Sequence, residues 1–335
     1  FLTALAEGNV YFPFFIQNVR FTHRALFAVN TGYLDRATDR SVLRSPDVRR
    51  SYSSLAGILA GEGYSPIYVE GGDSTYKEMK GFLQMEGYAI FDGPVMEESG
   101  RYDGIGDGRD AFGFHDEFAF DEALYRFREA RQPFLGYVML HSTHSPWEPP
   151  SHFESTFESP YGVFEYVDHA VREFFEGLEA EGLLDSSYVI ITADHTSLPV
   201  RDLSRFDRMN IPLIITGPDL RPEVRNTVGS QVDILPTVLG LLGLDVPYAS
   251  LGRDLMQIPE DGGFACSLYS GHAFWYEGDA ILQDWFVDDP APMLFERNRP
   301  QWEERDRAGE DPDLVKKMQR RLRSYYQTAR ILSLE

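Results

Sequence analysis

The chain is poor in cysteine and in positive charge, and each shortage narrows what it does. Cys266 is the single cysteine among 335 residues. No disulfide can form within the chain, and a lone thiol without a basic neighbour in sequence is a weak nucleophile. The compartment stays open, because many exported proteins carry no cystine. Lysine and arginine number 31 against 53 aspartates and glutamates, a formal charge of −22. That balance argues against nucleic acid as the partner, since phosphate backbones demand a positive surface. A small anionic substrate stays open, because a bound metal inverts the local field. Long apolar runs are missing too. The longest, ILPTVLGLLGL (234–244), contains a proline and two glycines; it is shorter than the roughly 20 residues of a membrane span and reads as a buried helix. No stretch of the given sequence reads as a signal peptide, internal repeat or low-complexity linker. The opening FLTALAEGNVYF starts inside a helix-like pattern without Met, as a fragment with its natural beginning upstream would.

What is present is a core. Hydrophobic residues make up 43% of the chain and aromatics 14%, far too many for a disordered segment. Short apolar runs alternate with amphipathic segments, which predicts an α/β fold with a mostly parallel central sheet between helices. PIYVE (66–70), PFLGYVML (133–140), YVIIT (188–192) and IPLIITGP (211–218) read as strands. Residues 162–183 place Phe164, Val167, Val171, Phe174, Phe175 and Leu178 at helical spacing. VDILPTVLGLLG (232–243) reads as another helix. After about residue 260 the pattern shifts to short antiparallel strands and a basic amphipathic terminal helix, so residues 1–260 are expected as a catalytic domain and 261–335 as a small C-terminal subdomain.

In open α/β sheets ligands bind beyond the carboxyl ends of the strands. PIYVE runs into Gly71, Gly72 and Asp73, PFLGYVML into His141 and His144, and YVIIT into Asp194 and His195. Three strands thus deliver carboxylates or imidazoles toward one rim. An adjacent Asp–His pair suits a metal with mixed oxygen and nitrogen ligands, such as Mn²⁺ or Zn²⁺; it equally suits a strand-end turn with a hydrogen-bonded histidine. In QNVRFTHRALFAVNTG (17–32), Thr22 falls at the start of a helix. There it is either an ordinary N-cap, the plainer reading of the residues alone, or a hydroxyl placed to attack phosphorus, with Arg24 on a phosphate oxygen. His23, His115, His152 and His169 read as surface or packing residues.

Taken together, ITADHT, IPLIITGP, QVDILPTVLGLLGL and SLGRDL resemble the sulfatase-like branch of the alkaline phosphatase superfamily. The nearest subgroup in appearance is the lipoteichoic acid synthase-like phosphoglycerol transferases, through VEGGDSTYKEMKGFLQMEGY, FGFHDEFAFDEAL, FLGYVMLHSTHSPW, YVDHAVREFFEGL and THRALFA. This resemblance spans about residues 1–260. It implies that Thr22 is nucleophile and metal ligand, that Asp194 and His195 are metal ligands, that His144 contacts substrate phosphate, that Asp73 lies in the headgroup segment, and that Arg24 is the arginine after the nucleophile. Ala25 stands where the subgroup has glycine. The resemblance also implies one divalent metal, Mn²⁺ with Zn²⁺ or Mg²⁺ as alternatives, an anionic lipid headgroup as donor and a glycan or lipid as acceptor. It implies an extracytoplasmic domain of a bacterial membrane protein, anchored through a region upstream. The family's further acidic ligand follows a first strand that precedes the part matching FLTALAEGNVYF; Glu7, Glu97 and Glu98 lie in the wrong context to replace it. The alternatives are a sulfatase or phosphodiesterase, although Thr22 lacks the Cys/Ser-x-Pro-x-Arg setting of sulfatases; a phosphoethanolamine transferase, a group usually rich in disulfides; and an inactive sensor or lipid-binding domain that keeps the fold.

Overall fold

A computed structural model describes residues 1–35, 41–44, 52–106, 108–196, 203–269, 271–286, 290–297 and 299–332. In chain order the elements begin with α1 (Leu2–Gly8), β1 (Val10–Ile16), α2 (Thr22–Thr31), α3 (Leu55–Gly61), β2 (Ser65–Glu70), α4 (Met79–Met85) and β3 (Ala89–Phe91). They continue with α5 (Gly93–Glu98), α6 (Asp116–Glu129), β4 (Phe134–Met139), α7 (Tyr161–Ala180), β5 (Val189–Thr192), β6 (Asn210–Thr216), β7 (Glu223–Val224) and β8 (Gly229–Ser230). The last are α8 (Ile234–Leu241), β9 (Phe264–Tyr269), β10 (His272–Glu277), β11 (Ala280–Asp284), β12 (Met293–Glu296) and α9 (Pro312–Leu332). Among the described residues no helix is long and apolar enough to cross a membrane.

Two compact units result, and each forms its own core. Unit 1 comprises residues 1–8, 55–189 and 216–220. Its three-stranded sheet has the order β3-β2-β4, and both pairings are parallel. Helix α6 packs on it, with Phe127 stacked on Phe134 at 4.8 Å, and α7 packs on α6, with Phe120 stacked on Phe174 at 4.4 Å. The buried stripe of α7 is Val163, Tyr166, Ala170, Val171, Phe174, Phe175 and Leu178. Phe164, placed by its spacing on that stripe, is 38% exposed instead; Val163 and Tyr166 on either side fill the core position.

Unit 2 comprises residues 9–54, 190–215 and 221–335. Its first sheet runs β5-β6-β1-β7, with β8 also pairing with β1. Strand β1, VYFPFFI, escaped notice in the sequence because Pro13 cannot donate to a ladder. The proline is tolerated where the register with β6 breaks, between Phe12 and Phe15. The pairs of β1 with β7 and β8 are parallel and its pair with β6 is antiparallel. Parallel pairs therefore predominate in the α/β part, as expected. The exception is illegible in sequence, since a strand with two buried faces reads the same in either direction. YVIIT is half-buried along its length.

The second sheet of unit 2 is antiparallel, in the order β12-β11-β10-β9. Helix α9 lies against it, with Met318 and Leu322 fully buried beside Trp275, Leu282 and Cys266. Burial pushes the Cys266 thiol up to about 12, so it is inert packing. Two of the motifs that suggested the family form a clamp here. Asp233 accepts from the backbone N of Arg253 at 2.7 Å, and the Arg253 guanidinium closes on the same carboxylate at 3.1 Å. Gly252 is obligatory at this crossing, because a Cβ there would fall 1.9 Å from Val232 O.

Candidate active site

Three segments of unit 2 bring the site together. Strand β1 ends at Gln17 and Asn18, and the chain enters α2 at Thr22; strand β5 ends at Ala193, Asp194 and His195. A buried amide network fixes the two strand ends to each other. Gln231 Nε2 donates to Ala193 O at 3.1 Å and to Asp194 O at 2.6 Å, while its Oε1 accepts from Asn18 N at 3.0 Å. Asn18 in turn donates from Nδ2 to Cys266 O at 2.8 Å and accepts from Val232 N at 3.0 Å. Thr196 N donates to Gln17 Oε1 at 2.7 Å. Gln17, Asn18 and Gln231 were not singled out in the sequence; amides buried between apolar runs are the signal that could have found them, since such groups must be hydrogen-bonded.

Thr22 is the first residue of α2, and it does not cap the helix. The N-cap position belongs to Phe21, whose φ of 101° lies outside ordinary helix entry and whose ring is 52% exposed. Its carbonyl accepts from Arg24 N at 3.0 Å and Ala25 N at 3.1 Å. This twist turns the Thr22 hydroxyl away from the helix, and Oγ1 donates to Asp194 Oδ2 at 2.7 Å. The plain N-cap reading of Thr22 is thereby corrected. Backbone strain of this kind persists where the surroundings over-determine it, commonly at functional sites.

His195 completes the group. Its backbone N donates to Asp194 Oδ1 at 2.7 Å, and its ring Nδ1 lies 3.1 Å from Thr196 O. With the Nδ1 proton on that carbonyl, Nε2 carries a lone pair. That nitrogen lies 3.3 Å from Asp194 Oδ2. A lone pair facing a carboxylate oxygen calls for a cation between them, either a proton or a metal ion. Ligands bound at about 2.0–2.2 Å lie roughly 3–3.5 Å apart, close to the 2.7 and 3.3 Å separations around Oδ2. Thr22, Asp194 and His195 therefore fit as part of a divalent shell of mixed oxygen and nitrogen donors. Among the described residues no three His, Cys, Asp or Glu side chains converge as a metal-holding group; the third donor of this set is a hydroxyl.

Arg24 is buried, and its Nε lies 3.6 Å from Asp35 Oδ2. Asp35 also accepts from Val42 N at 2.7 Å, so this pair pins the first turn of α2.

The remaining predicted residues lie in unit 1. Since β2 and β4 are parallel neighbours with Glu70 opposite Met139, their carboxyl ends share an edge. Asp73 is exposed there and accepts from Thr75 N at 2.9 Å, an ordinary Asx turn. His144 is exposed, with Nδ1 3.1 Å from Ser145 O and its ring 4.4 Å from that of Phe112. His141 is half-buried instead. Its backbone N donates to Asp116 Oδ1 at 3.0 Å and its Nε2 lies 3.7 Å from Asp110 Oδ1. His115 Nδ1 lies 4.0 Å from the other oxygen of Asp110. Burial works against a charged His141 ring, but Asp110, Asp116 and Glu70 together outweigh it and raise its pKa. For Asp110 the same balance ends below the usual carboxylate value, held down by His141 and by Phe112 N. Burial lowers the pKa of His115 and raises that of Glu70.

The sulfatase family model matches residues 1–244. Over 236 residues, 63% of this chain, the sequence is 25% identical to lipoteichoic acid synthase 1 of Bacillus subtilis. Over 240 residues, 66% of the chain, it is 27% identical to phosphoglycerol transferase I of Xanthomonas campestris pv. campestris. The match spans about a third of each relative, 36% and 33% of their lengths. The fold superposes on the lipoteichoic acid synthase LtaP of Listeria monocytogenes with a TM-score of 0.83 at 19% identity, covering 100% of this chain and 86% of that one. An alkaline phosphatase superfamily protein from Vibrio parahaemolyticus gives a TM-score of 0.83 at 20% identity, covering 99% of this chain and 81% of that one. With its α/β architecture and a family model that matches well over half its length, the chain belongs to the sulfatase family.

Proposed function

We propose that this chain is the catalytic module of a metal-dependent phosphotransferase. It moves a phosphoglycerol-type group from a lipid headgroup to a glycan or lipid acceptor, with Thr22 as nucleophile. One observation carries the reading: the Thr22 hydroxyl is turned out of its helix and held by Asp194 beside His195. The naming of relatives as lipoteichoic acid synthase and phosphoglycerol transferase favours a phosphodiester substrate over a sulfate ester.

The residues divide the work as follows. Asp194 accepts the Thr22 proton along the 2.7 Å bond, which leaves the oxygen lone pairs for phosphorus. The Oγ1–P bond forms as the bond from phosphorus to the lipid alcohol breaks, and the departing alkoxide of diacylglycerol takes up the proton that Asp194 received. An acceptor hydroxyl then attacks phosphorus as the Oγ1–P bond breaks, and its proton passes by way of Asp194 to the released Thr22 oxygen. One divalent cation, Mn²⁺ with Zn²⁺ or Mg²⁺ as alternatives, held by Thr22, Asp194 and His195, would lower the hydroxyl pKa and offset phosphoryl charge. Arg24 is assigned to a phosphate oxygen of the substrate, with Asp35 3.6 Å from its Nε. His144 is assigned to substrate phosphate and Asp73 to the headgroup. Residues 1–260 form the catalytic domain and 261–335 a C-terminal subdomain. The protein works on the outer side of a bacterial membrane.

Incubation with phosphatidylglycerol vesicles and Mn²⁺ should load one phosphoglycerol unit on the peptide bearing Thr22, as read by mass spectrometry. Thr22→Ala should abolish both adduct and diacylglycerol release. Undiminished turnover by Thr22→Ala would sink the proposal. Release of free glycerol phosphate at the same rate with and without acceptor would favour the hydrolase reading.

A further inference from the structure

Phe21 stands immediately before Thr22 in a conformation that its side chain does not favour. Its φ of 101° and ψ of 129° lie in a region open to glycine, where a Cβ brings a steric cost. The twist turns the Thr22 hydroxyl to Asp194, and glycine would supply it without that cost. A phenyl ring stands there instead.

Packing does not offset the strain, since Phe21 is 52% exposed. Among the described residues the ring meets the Arg24 guanidinium carbon 5.6 Å from its centroid and the His23 ring at 6.0 Å. These contacts orient the ring and leave about half of the residue in water. Single exposed apolar residues are ordinary on a protein surface, but this one is strained and adjoins the proposed nucleophile. Asp194 and His195, which gather at the Thr22 hydroxyl, suit a proton, a cation or a phosphate. Neither matches hydrocarbon. A lipid phosphodiester brings hydrocarbon to this place, because one alcohol on its phosphorus is an acylated glycerol. The other alcohol, a polyol, presents hydroxyls that a phenyl ring cannot satisfy. The ring therefore matches the acylated side.

We propose that Phe21 is a specificity-determining residue: its ring packs on the acylated glycerol of the donor and selects phosphodiesters that carry acyl chains. Its part in transfer rests on the transferase reading; its contact with the acylated glycerol does not. Two probes isolate the contact, dihexanoylphosphatidylglycerol below its micelle-forming concentration and the deacylated counterpart glycerophosphoglycerol. They share the phosphodiester and the free glycerol and differ only in the acyl chains. The readout is the ratio of their kcat/KM values with Mn²⁺ present, because a fault in folding or in placing Thr22 lowers both rates and cancels. The unaltered protein should prefer the acylated donor. Phe21→Gly should reduce that preference about tenfold, as the loss of a few methylene contacts does. Phe21→Asn, which also tolerates positive φ, should reduce it likewise, and Phe21→Leu should keep most of it. A preference unchanged in Phe21→Gly and Phe21→Asn overturns the assignment, as does equal use of both donors by the unaltered protein. Binding is read separately by calorimetry in the Thr22→Ala protein, where no transfer intervenes. Dihexanoylphosphatidylglycerol should bind more tightly than glycerophosphoglycerol, and adding Phe21→Gly should remove that margin. If the margin depends on Phe21 while the intact protein forms no Thr22 adduct, the contact stands and the transferase reading falls. If the adduct forms but the margin is the same with and without the ring, the transferase reading stands and the role of Phe21 falls.

Discussion

Thr22 and Asp194 lie 172 residues apart in sequence, yet the Thr22 hydroxyl donates to Asp194 Oδ2 across 2.7 Å. His195 Nε2 approaches the same oxygen at 3.3 Å. Asp194→Asn keeps the shape of this arrangement while removing the negative charge that the proton and the cation need. Bound Mn²⁺, measured by elemental analysis after dialysis, should fall well below that of the unaltered protein, as it should in His195→Gln. Diacylglycerol release should drop by about 10² or more. Chelation of the unaltered protein should give a comparable loss that added Mn²⁺ restores. Retention of metal by Asp194→Asn would remove the carboxylate from the shell.

Gln231 acts on the site without touching the reacting atoms. It holds the carbonyls of Ala193 and Asp194 with one end and Asn18 N with the other, entirely out of solvent. Gln231→Ala strands buried backbone groups, at a cost of about 1–3 kcal/mol for each left unpaired. Urea denaturation should show that loss. Because the change shifts Asp194 rather than the substrate contacts, kcat should fall with little change in KM.

Much of the fold was legible because its strands are short apolar runs that end in polar or glycine residues and its long helices keep a regular apolar period. PIYVE, PFLGYVML, YVIIT and IPLIITGP all fall on strands, and α7, α8 and α9 on the helices expected. β1 was lost to a single proline, whose tolerance depends on a break in register with a strand about 200 residues away. The Asp194–His195 pair was visible as a polar end to an apolar run. Its contact with Thr22 was not, since the turn of that hydroxyl depends on the φ of Phe21. The Asp110–His141 pair was equally hidden: it joins a loop aspartate to a strand-end histidine, and neither sits in a local pattern that implies the other.

The crossing of Gly252 over Val232 leaves no room for a side chain. Gly252→Ala should force the Arg253–Asp233 clamp apart and destabilise unit 2 by about 1–3 kcal/mol. Thermal melting should report a lower midpoint, and the loss should be accompanied by weaker protection of the Asp233 and Arg253 amides in hydrogen exchange. A melting point equal to that of the unaltered protein would show that the loop moves aside at no cost.

The Asp110–His141 pair predicts how the stability of unit 1 depends on pH. His141 has a folded pKa above its ordinary 6.5, so its contribution is fully present below that value and is lost as pH rises through the folded pKa. Asp110 has a folded pKa below its ordinary 3.8, so its share is present above that value and is lost as pH falls through the folded one. His115, lowered from 6.5 by burial, acts in the opposite sense to His141 and costs stability as pH falls below 6.5. Glu70, Asp110 and Asp116 all bear on His141, which makes its protonated form the stabilising one. Comparison of the unaltered protein with His141→Gln removes the His141 contribution while leaving that of His115 in place. The stability difference from denaturant titrations should be greatest at about pH 5 to 6 and should shrink as pH rises beyond the usual histidine range. A difference that grew with rising pH would mean that His141 is buried neutral and that Asp110 draws its partner from elsewhere.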